Sequence, residues 1–340
     1  MNMTENLRID TALGWGKAVF PGILACLTIA MAATFLSEHY GGPVMLFALL
    51  LGMAFHFLAE EGRCVRGIEL ASKSILRVGV ALLGVRITFD QIAGLGEVTI
   101  FGVIAAIILT IIFGWIVARL LGLKKTQGLL SGGAVAICGA SAALALSAVM
   151  PKTKDSEQNT IVTVVAVTTL STIAMVIYPL ITQQFDMSAI DSGIFLGGTI
   201  HDVAQVVGAG YSISDETGDI STVVKLLRVT MLVPIVLVFS LMFSARRRED
   251  GESGVGGILP PLFLVMFILF VVLNSYGVMP EMVTTNLTDL SRVCLVTAIA
   301  GLGMKTSLKE LAHVGWPIVI LVVAETAFIA VFIFALVSFL

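Results

Sequence analysis

"LLSGGAVAICGASAALAL", residues 129–146, decides how this chain is read. It is apolar enough to lie in a bilayer, yet it holds Gly132, Gly133 and Gly139 beside Ser131, Cys138 and Ser141. Glycine weakens a helix, and hydroxyls can satisfy the backbone groups that a break sets free. Small residues also let an intact helix pack closely on its neighbours. Both readings stand for the segment alone, and its surroundings decide between them.

Those surroundings are apolar throughout. The 340 residues are 57% hydrophobic and 13% charged, and mean hydropathy is +1.02. A soluble chain of this length carries roughly twice that charged fraction. Apolar stretches of about 17–25 residues, enough to cross a hydrocarbon core, recur to the end. The chain reads as an all-α polytopic membrane protein. Eleven spans are expected, at 18–37, 41–59, 67–88, 97–120, 128–150, 160–182, 189–211, 220–244, 257–276, 286–305 and 314–338. Four cysteines show no CxxC spacing and no disulfide framework. There is no zinc motif, no phosphate loop and no soluble stretch large enough for an ATPase. No cofactor, metal or nucleic-acid partner is expected, and the partners are the lipid bilayer and a small solute. Movement of a solute would draw on a gradient or on exchange.

Lys and Arg set the orientation. With the N-terminus inside, the inner segments hold Arg8, Lys17, Arg63, Arg66, Arg119, Lys124, Lys125, Arg246, Arg247, Arg248 and Lys309. The outer loops hold only Lys152 and Lys154. The expectation is a cytoplasmic N-terminus and an outer, periplasmic C-terminus.

An internal similarity organises the spans. "ASKSILRV" (71–78) resembles "TVVKLLRV" (222–229), an offset of 151 residues. The offset carries spans two to six onto spans seven to eleven. Five spans reverse direction, so the repeats are inverted, as in secondary transporters. A competing offset of 219 pairs "ALLGVRIT" (81–88) with "AGLGMKTS" (300–307) but places the other spans poorly. The expected division is residues 1–40 as a tail and extra helix, 41–182 as the first repeat and 183–340 as the second. Core and panel subdomains would draw helices from both. Span five and its mate span ten, "VTAIAGLGMKTS" (296–307), are then the two broken crossing helices. Gly301, Gly303, Lys305, Thr306 and Ser307 mark the second.

Ionisable groups inside spans are costly and mark function by default. Arg77 and its repeat mate Arg228 fall near mid-bilayer at about 1.5 Å per residue. Lys73 and Lys225 each lie on the same face, one turn earlier. The lysines can also snorkel to their interfaces. The arginines are too deep for that, which leaves an ion pair or a substrate site. Asp202 and Glu325 are the deepest acids, so basic groups are in excess at depth and favour a bound anion. Arginine's forked donors suit an oxyanion, and broken-helix N-termini add amide donors. In "GGTIHDVAQVVGAG" (197–210), His201 and Asp202 can couple protons to the site or form a buried structural network, with Gln205 extending the polar face.

"SGGAVAICGASAALA" (131–145), "HDVAQVVGAG" (201–210) and "VKLLRV" (224–229) together resemble the YeiH-type sulfate exporter family of bacterial inner-membrane proteins. More distantly, the five-plus-five plan is similar to the bile acid/sodium symporter and sodium/proton antiporter folds. The resemblance implies an inner-membrane anion transporter with an elevator-like shift, and a homodimer by analogy of fold. The expected function is therefore secondary transport of a small oxyanion, sulfate or sulfonate-like, and not an enzyme. Arg77, Lys225, Arg228, Gly132, Gly133, Cys138, Gly139, Ser141, Gly301, Gly303, Lys305 and Thr306 would bind it, with His201 and Asp202 coupling. A cation/proton antiporter using Asp202 and Glu325, and an anion channel, remain alternatives.

Overall fold

The computed structural model describes residues 3–40, 43–151, 156–249, 262–306 and 316–339. Every regular element among them is helical. In chain order these are α1 (Met3–Tyr40), α2 (Val44–Ala54), the short α3 (Phe57–Glu60), and α4 (Val65–Leu70), which runs through a π turn at Ala71–Ile75 into α5 (Leu76–Leu83). Then come α6 (Phe89–Ala93), α7 (Gly96–Leu120), α8 (Lys125–Ala136), α9 (Ala140–Val149), α10 (Ser156–Gln184), α11 (Ala189–Thr199) and α12 (Val203–Tyr211). The chain closes with α13 (Asp215–Thr230), α14 (Leu232–Glu249), α15 (Leu262–Ser275), α16 (Glu281–Lys305) and α17 (Trp316–Ser338).

Six stretches are continuous and apolar enough to cross a membrane: Trp15–Tyr40, Gly96–Leu120, Gln158–Gln184, Asp215–Phe243, Glu281–Lys305 and Trp316–Ser338. They coincide with spans one, four, six, eight, ten and eleven of the sequence reading. The other five expected spans are divided or short. Span two becomes α2 and α3, span three is interrupted by the π turn, and of span nine the described part is α15. Spans five and seven each split into two half-helices, α8/α9 and α11/α12.

The last point corrects one expectation. Span five is broken, as read, but its partner is span seven and not span ten. α16 runs unbroken for 25 residues through Gly301 to Lys305. Its glycines serve packing instead. A Cβ on Gly303 would lie 3.0 Å from the Gly52 Cα of α2, and one on Gly301 would lie 3.2 Å from the Cys26 sulfur. A glycine costs a helix interior about 1 kcal/mol. In lipid a broken helix must find new partners for its backbone groups, so close packing is the cheaper use.

The chain divides into two compact units, each drawn from both halves of the sequence. The first comprises Met1–Thr88 and Val265–Ser307, the second Phe89–Leu264 and Leu308–Leu340. In the first unit α16 packs on α2 and α5, and Ser291 donates to the Gly79 carbonyl (2.7 Å). In the second unit α8 packs on α7, α11 and α12 pack on α13, and α17 packs on α7 and α11. Both broken helices therefore belong to the second unit.

Candidate functional site

Each break has a local cause. α8 ends where Ile137 leaves helical space and Gly139 adopts φ +59°, ψ −122°, a conformation open to glycine. The Gly139 amide turns back to the Ala134 carbonyl (2.8 Å), a tight C-terminal closure. α11 ends where Ile200 and Asp202 become extended, with ψ 139° and 148°. The breaks touch: a Cβ on Gly139 would lie 3.7 Å from the His201 Cβ.

A helix end leaves carbonyls without partners, and in a buried setting these must be satisfied. α13 supplies the donors. Its first turn is fixed by Ser214, whose hydroxyl accepts from the Thr217 amide (3.0 Å). One face of α13 then delivers Lys225 and Arg228, three residues apart and both 0% exposed. Lys225 Nζ donates to Ile137 O (2.6 Å) and Ile200 O (2.9 Å). Arg228 donates from Nε to Ala136 O (2.9 Å), from Nη2 to Val135 O (2.8 Å), and from Nη1 to Gly197 O and Ile200 O (both 2.9 Å). Two cations thus tie the C-terminal ends of α8 and α11 together. Their charge meets the negative ends of two helix dipoles. One hydrogen remains uncommitted on each, from three ammonium and five guanidinium donors.

The other side of each break is the opposite electrostatic end. α9 starts at Ala140 and α12 at Val203, and the first amides of a helix have no acceptor within it. Gly139 has no side chain to cap α9, and the Asp202 side chain makes no cap bond to α12. The Asp202 amide itself donates to Ser171 of α10 (3.1 Å). Cys138 is buried in the first break, Ala140 and Asp202 are half-buried, and Ser141 is exposed. The start of α9 therefore reaches the surface at Ala140 and Ser141, whereas the first residues of α12, Val203 to Gln205, are buried behind half-buried Asp202.

His201 is 0% exposed, and its Nε2 lies 2.9 Å from the Thr326 hydroxyl of α17. Thr326 gives its own hydrogen to Val322 O (2.7 Å), so it accepts from the imidazole Nε2–H. Its Nδ1 is buried with no hydrogen-bond partner among the described residues. Gln205 donates to Thr172 (3.4 Å) and keeps a buried, unpartnered Oε1.

The residues singled out from sequence divide between the two units. Lys225, Arg228, Cys138, Gly139, Ser141, His201 and Asp202 gather at the two breaks of the second unit. Gly132 and Gly133 belong to the same unit but serve packing: a Cβ on Gly132 would lie 3.0 Å from the Ile111 Cα of α7, and Gly133 faces Leu146. Arg77, Gly301, Gly303, Lys305 and Thr306 belong to the first unit. Arg77 is exposed, whereas Arg228, in the similar stretch of sequence, is fully buried. Ser307 lies outside the described residues. Sequence reasoning gave no role to Gln127, Thr163, Ser171 or Thr326, which pair in hydrogen bonds across α8, α10, α12 and α17. Gln127 and Ser131, four apart on one helix face, were the readable signal.

An all-helical chain with long apolar helices and two broken ones meeting at a buried polar centre belongs to the class of multi-pass membrane proteins. More particularly, the chain belongs to the family described as Conserved hypothetical protein 698, whose model matches residues 21–322. It is 56% identical over 315 residues to UPF0324 membrane protein CT0845 of Chlorobaculum tepidum, covering 92% of this chain and 88% of that one. It is 54% identical to UPF0324 membrane protein RB0971 of Rhizobium meliloti, over 93% and 91% of the two chains. It is 50% identical to UPF0324 membrane protein TauZ of Paracoccus denitrificans, over 93% and 94%. Membership at this level bears out the resemblance carried by the three sequence motifs.

Proposed function

We propose that this protein is a secondary transporter of a small oxyanion, sulfate or sulfonate-like, bound at the amide ends of α9 and α12. The observation that carries the reading is the asymmetry of the two breaks. Their carbonyl ends are neutralised by Lys225 and Arg228, while neither N-cap residue, Gly139 or Asp202, caps the amide end that follows it. Uncapped helix N-termini are ready anion sites, and the excess cationic charge nearby attracts an anion to them. Lys225 and Arg228 act chiefly by holding the breaks open in register. A bacterial inner-membrane setting with a cytoplasmic N-terminus, an inverted-repeat core working by an elevator-like shift, a homodimeric assembly and proton coupling through His201 and Asp202 complete the proposal.

Val203→Pro tests it. Val203 is the first residue of α12, where proline fits, and Asp202 before it is already extended, as a pre-proline residue must be. The substitution deletes one amide donor and leaves the helix in place. A hydrogen bond to a charged group is worth about 1.5–3 kcal/mol, so oxyanion affinity falls about 10–100-fold. The readout is thermal stabilisation of purified protein by sulfate and alkyl sulfonates, with uptake of labelled sulfate into proteoliposomes. Unchanged affinity in a folded Val203→Pro protein removes the amide ends from the site.

A further inference from the structure

A second polar cluster lies in the same unit, away from the amide ends, between α8, α10 and α17. Glu325 sits in α17, a helix whose mean hydropathy is 2.8, and is 0% exposed. Its Oε1 accepts from the Ser131 hydroxyl (2.7 Å), and its Oε2 has no hydrogen-bond partner among the described residues. One turn back on α8, buried Gln127 donates from Nε2 to Thr163 Oγ1 (2.9 Å), and its Oε1 is likewise unpartnered. Thr163 commits its hydrogen to Asn159 O (2.8 Å), which fixes the Gln127 amide with nitrogen toward Thr163 and oxygen away. Ser131 has one hydrogen for the backbone carbonyl of Gln127 and the Glu325 carboxylate. Apart from the second hydrogen on the Gln127 amide nitrogen, what the cluster leaves open is oxygen lone pairs, on Gln127 Oε1 and Glu325 Oε2.

A buried carboxylate with no counter-charge is expensive. No lysine, arginine or histidine forms an ion pair with Glu325 among the described residues. We propose that Gln127, Ser131 and Glu325 form a sodium-ion site, with Thr163 orienting the Gln127 amide. The charge matches: one carboxylate with otherwise neutral oxygens balances one monovalent cation, whereas calcium sites gather several carboxylates. The spacing matches as well. Residues four apart on a helix have Cβ atoms about 5–6 Å apart, so an ion midway is about 3 Å from each rung. Small shifts then bring Gln127 Oε1, Ser131 Oγ and Glu325 Oε2 toward one ion. Gly114 of α7 lies directly against Glu325 Oε1, and its missing side chain leaves room for the carboxylate but none to spare. The cluster also reaches the breaks, because Glu325 precedes Thr326, the partner of His201. Occupancy by sodium would thus be felt at the start of α12.

The test needs no transported anion. Purified protein is melted in sodium chloride and in choline chloride of equal ionic strength, at two pH values, as wild type, Glu325→Gln, Gln127→Met and Val203→Pro. A ligand of the native state raises the melting temperature. The expected result is a saturable rise of about 5 °C with sodium, lost in Glu325→Gln and Gln127→Met and kept in Val203→Pro. If Glu325→Gln does not yield folded protein, Gln127→Met and equilibrium binding of radioactive sodium to wild type decide by the same criteria. No sodium response in wild type, or an undiminished response in the cluster variants, overturns the proposal. Stabilisation by acid alone does so too, since a proton then occupies the carboxylate. Retention in Val203→Pro separates this result from failure of the anion site.

Discussion

Replacing Arg228 with methionine is the sharpest test of how the two breaks are held. The guanidinium makes four hydrogen bonds to four carbonyls. Ile200 O keeps Lys225, so Val135, Ala136 and Gly197 lose their side-chain donor. A buried unsatisfied group costs about 1–3 kcal/mol, which sums to roughly 3–9 kcal/mol. Against this, methionine spares the several kcal/mol of burying a guanidinium. A net loss of about 3–5 kcal/mol follows, the range for removing one partner of a buried charged arrangement. At about 2 °C per kcal/mol for a chain of this size, the melting temperature falls by roughly 6–10 °C. The control is Arg77→Met. Arg77 is exposed in the first unit, and its loss stays within about 0.5 kcal/mol, as for an ordinary surface change. The assay is fluorescence-monitored unfolding in detergent, with oxyanion binding measured on the same samples. The structural role is refuted if Arg228→Met melts within about 2 °C of wild type, which is less than a single kcal/mol-scale loss predicts. If that folded variant has also lost oxyanion binding, Arg228 is a ligand and not a tie.

Two further substitutions probe the backbone. Gly139→Ala meets no crowding, since the nearest atoms to its Cβ lie 3.7 Å away. Its cost is therefore the positive φ alone, about 1–3 kcal/mol, read as a lower melting temperature together with slower anion uptake. Gly303→Leu is a packing test in the first unit, where the Gly303 and Gly52 backbones meet. Overpacking should cost about 1–3 kcal/mol or more, measured as destabilisation, while Gly16→Leu, with open space around it, serves as the neutral comparison.

Composition and local pattern sufficed for the class of protein and for one of the two breaks. Apolar stretches of membrane length are a local property of composition, and so is the glycine-rich run around Gly139. The sequence also singled out Lys225, Arg228, His201 and Asp202, because an ionisable group inside an apolar span is conspicuous wherever it points. Only the tertiary structure decided the rest. Gly301 and Gly303 looked like a break and proved to be a packing seam, because glycine permits both and only a neighbour such as Gly52 distinguishes them. Arg77 and Arg228 occupy similar sequence contexts, yet one is exposed and one buried, since burial depends on which elements surround each helix. Span seven breaks without a glycine at its bend, at Ile200 and Asp202, where the freed carbonyls find donors on α13. Glu325 and Gln127 lie nearly 200 residues apart, and the cluster that leaves one oxygen of each unpartnered exists only once α8 and α17 are side by side.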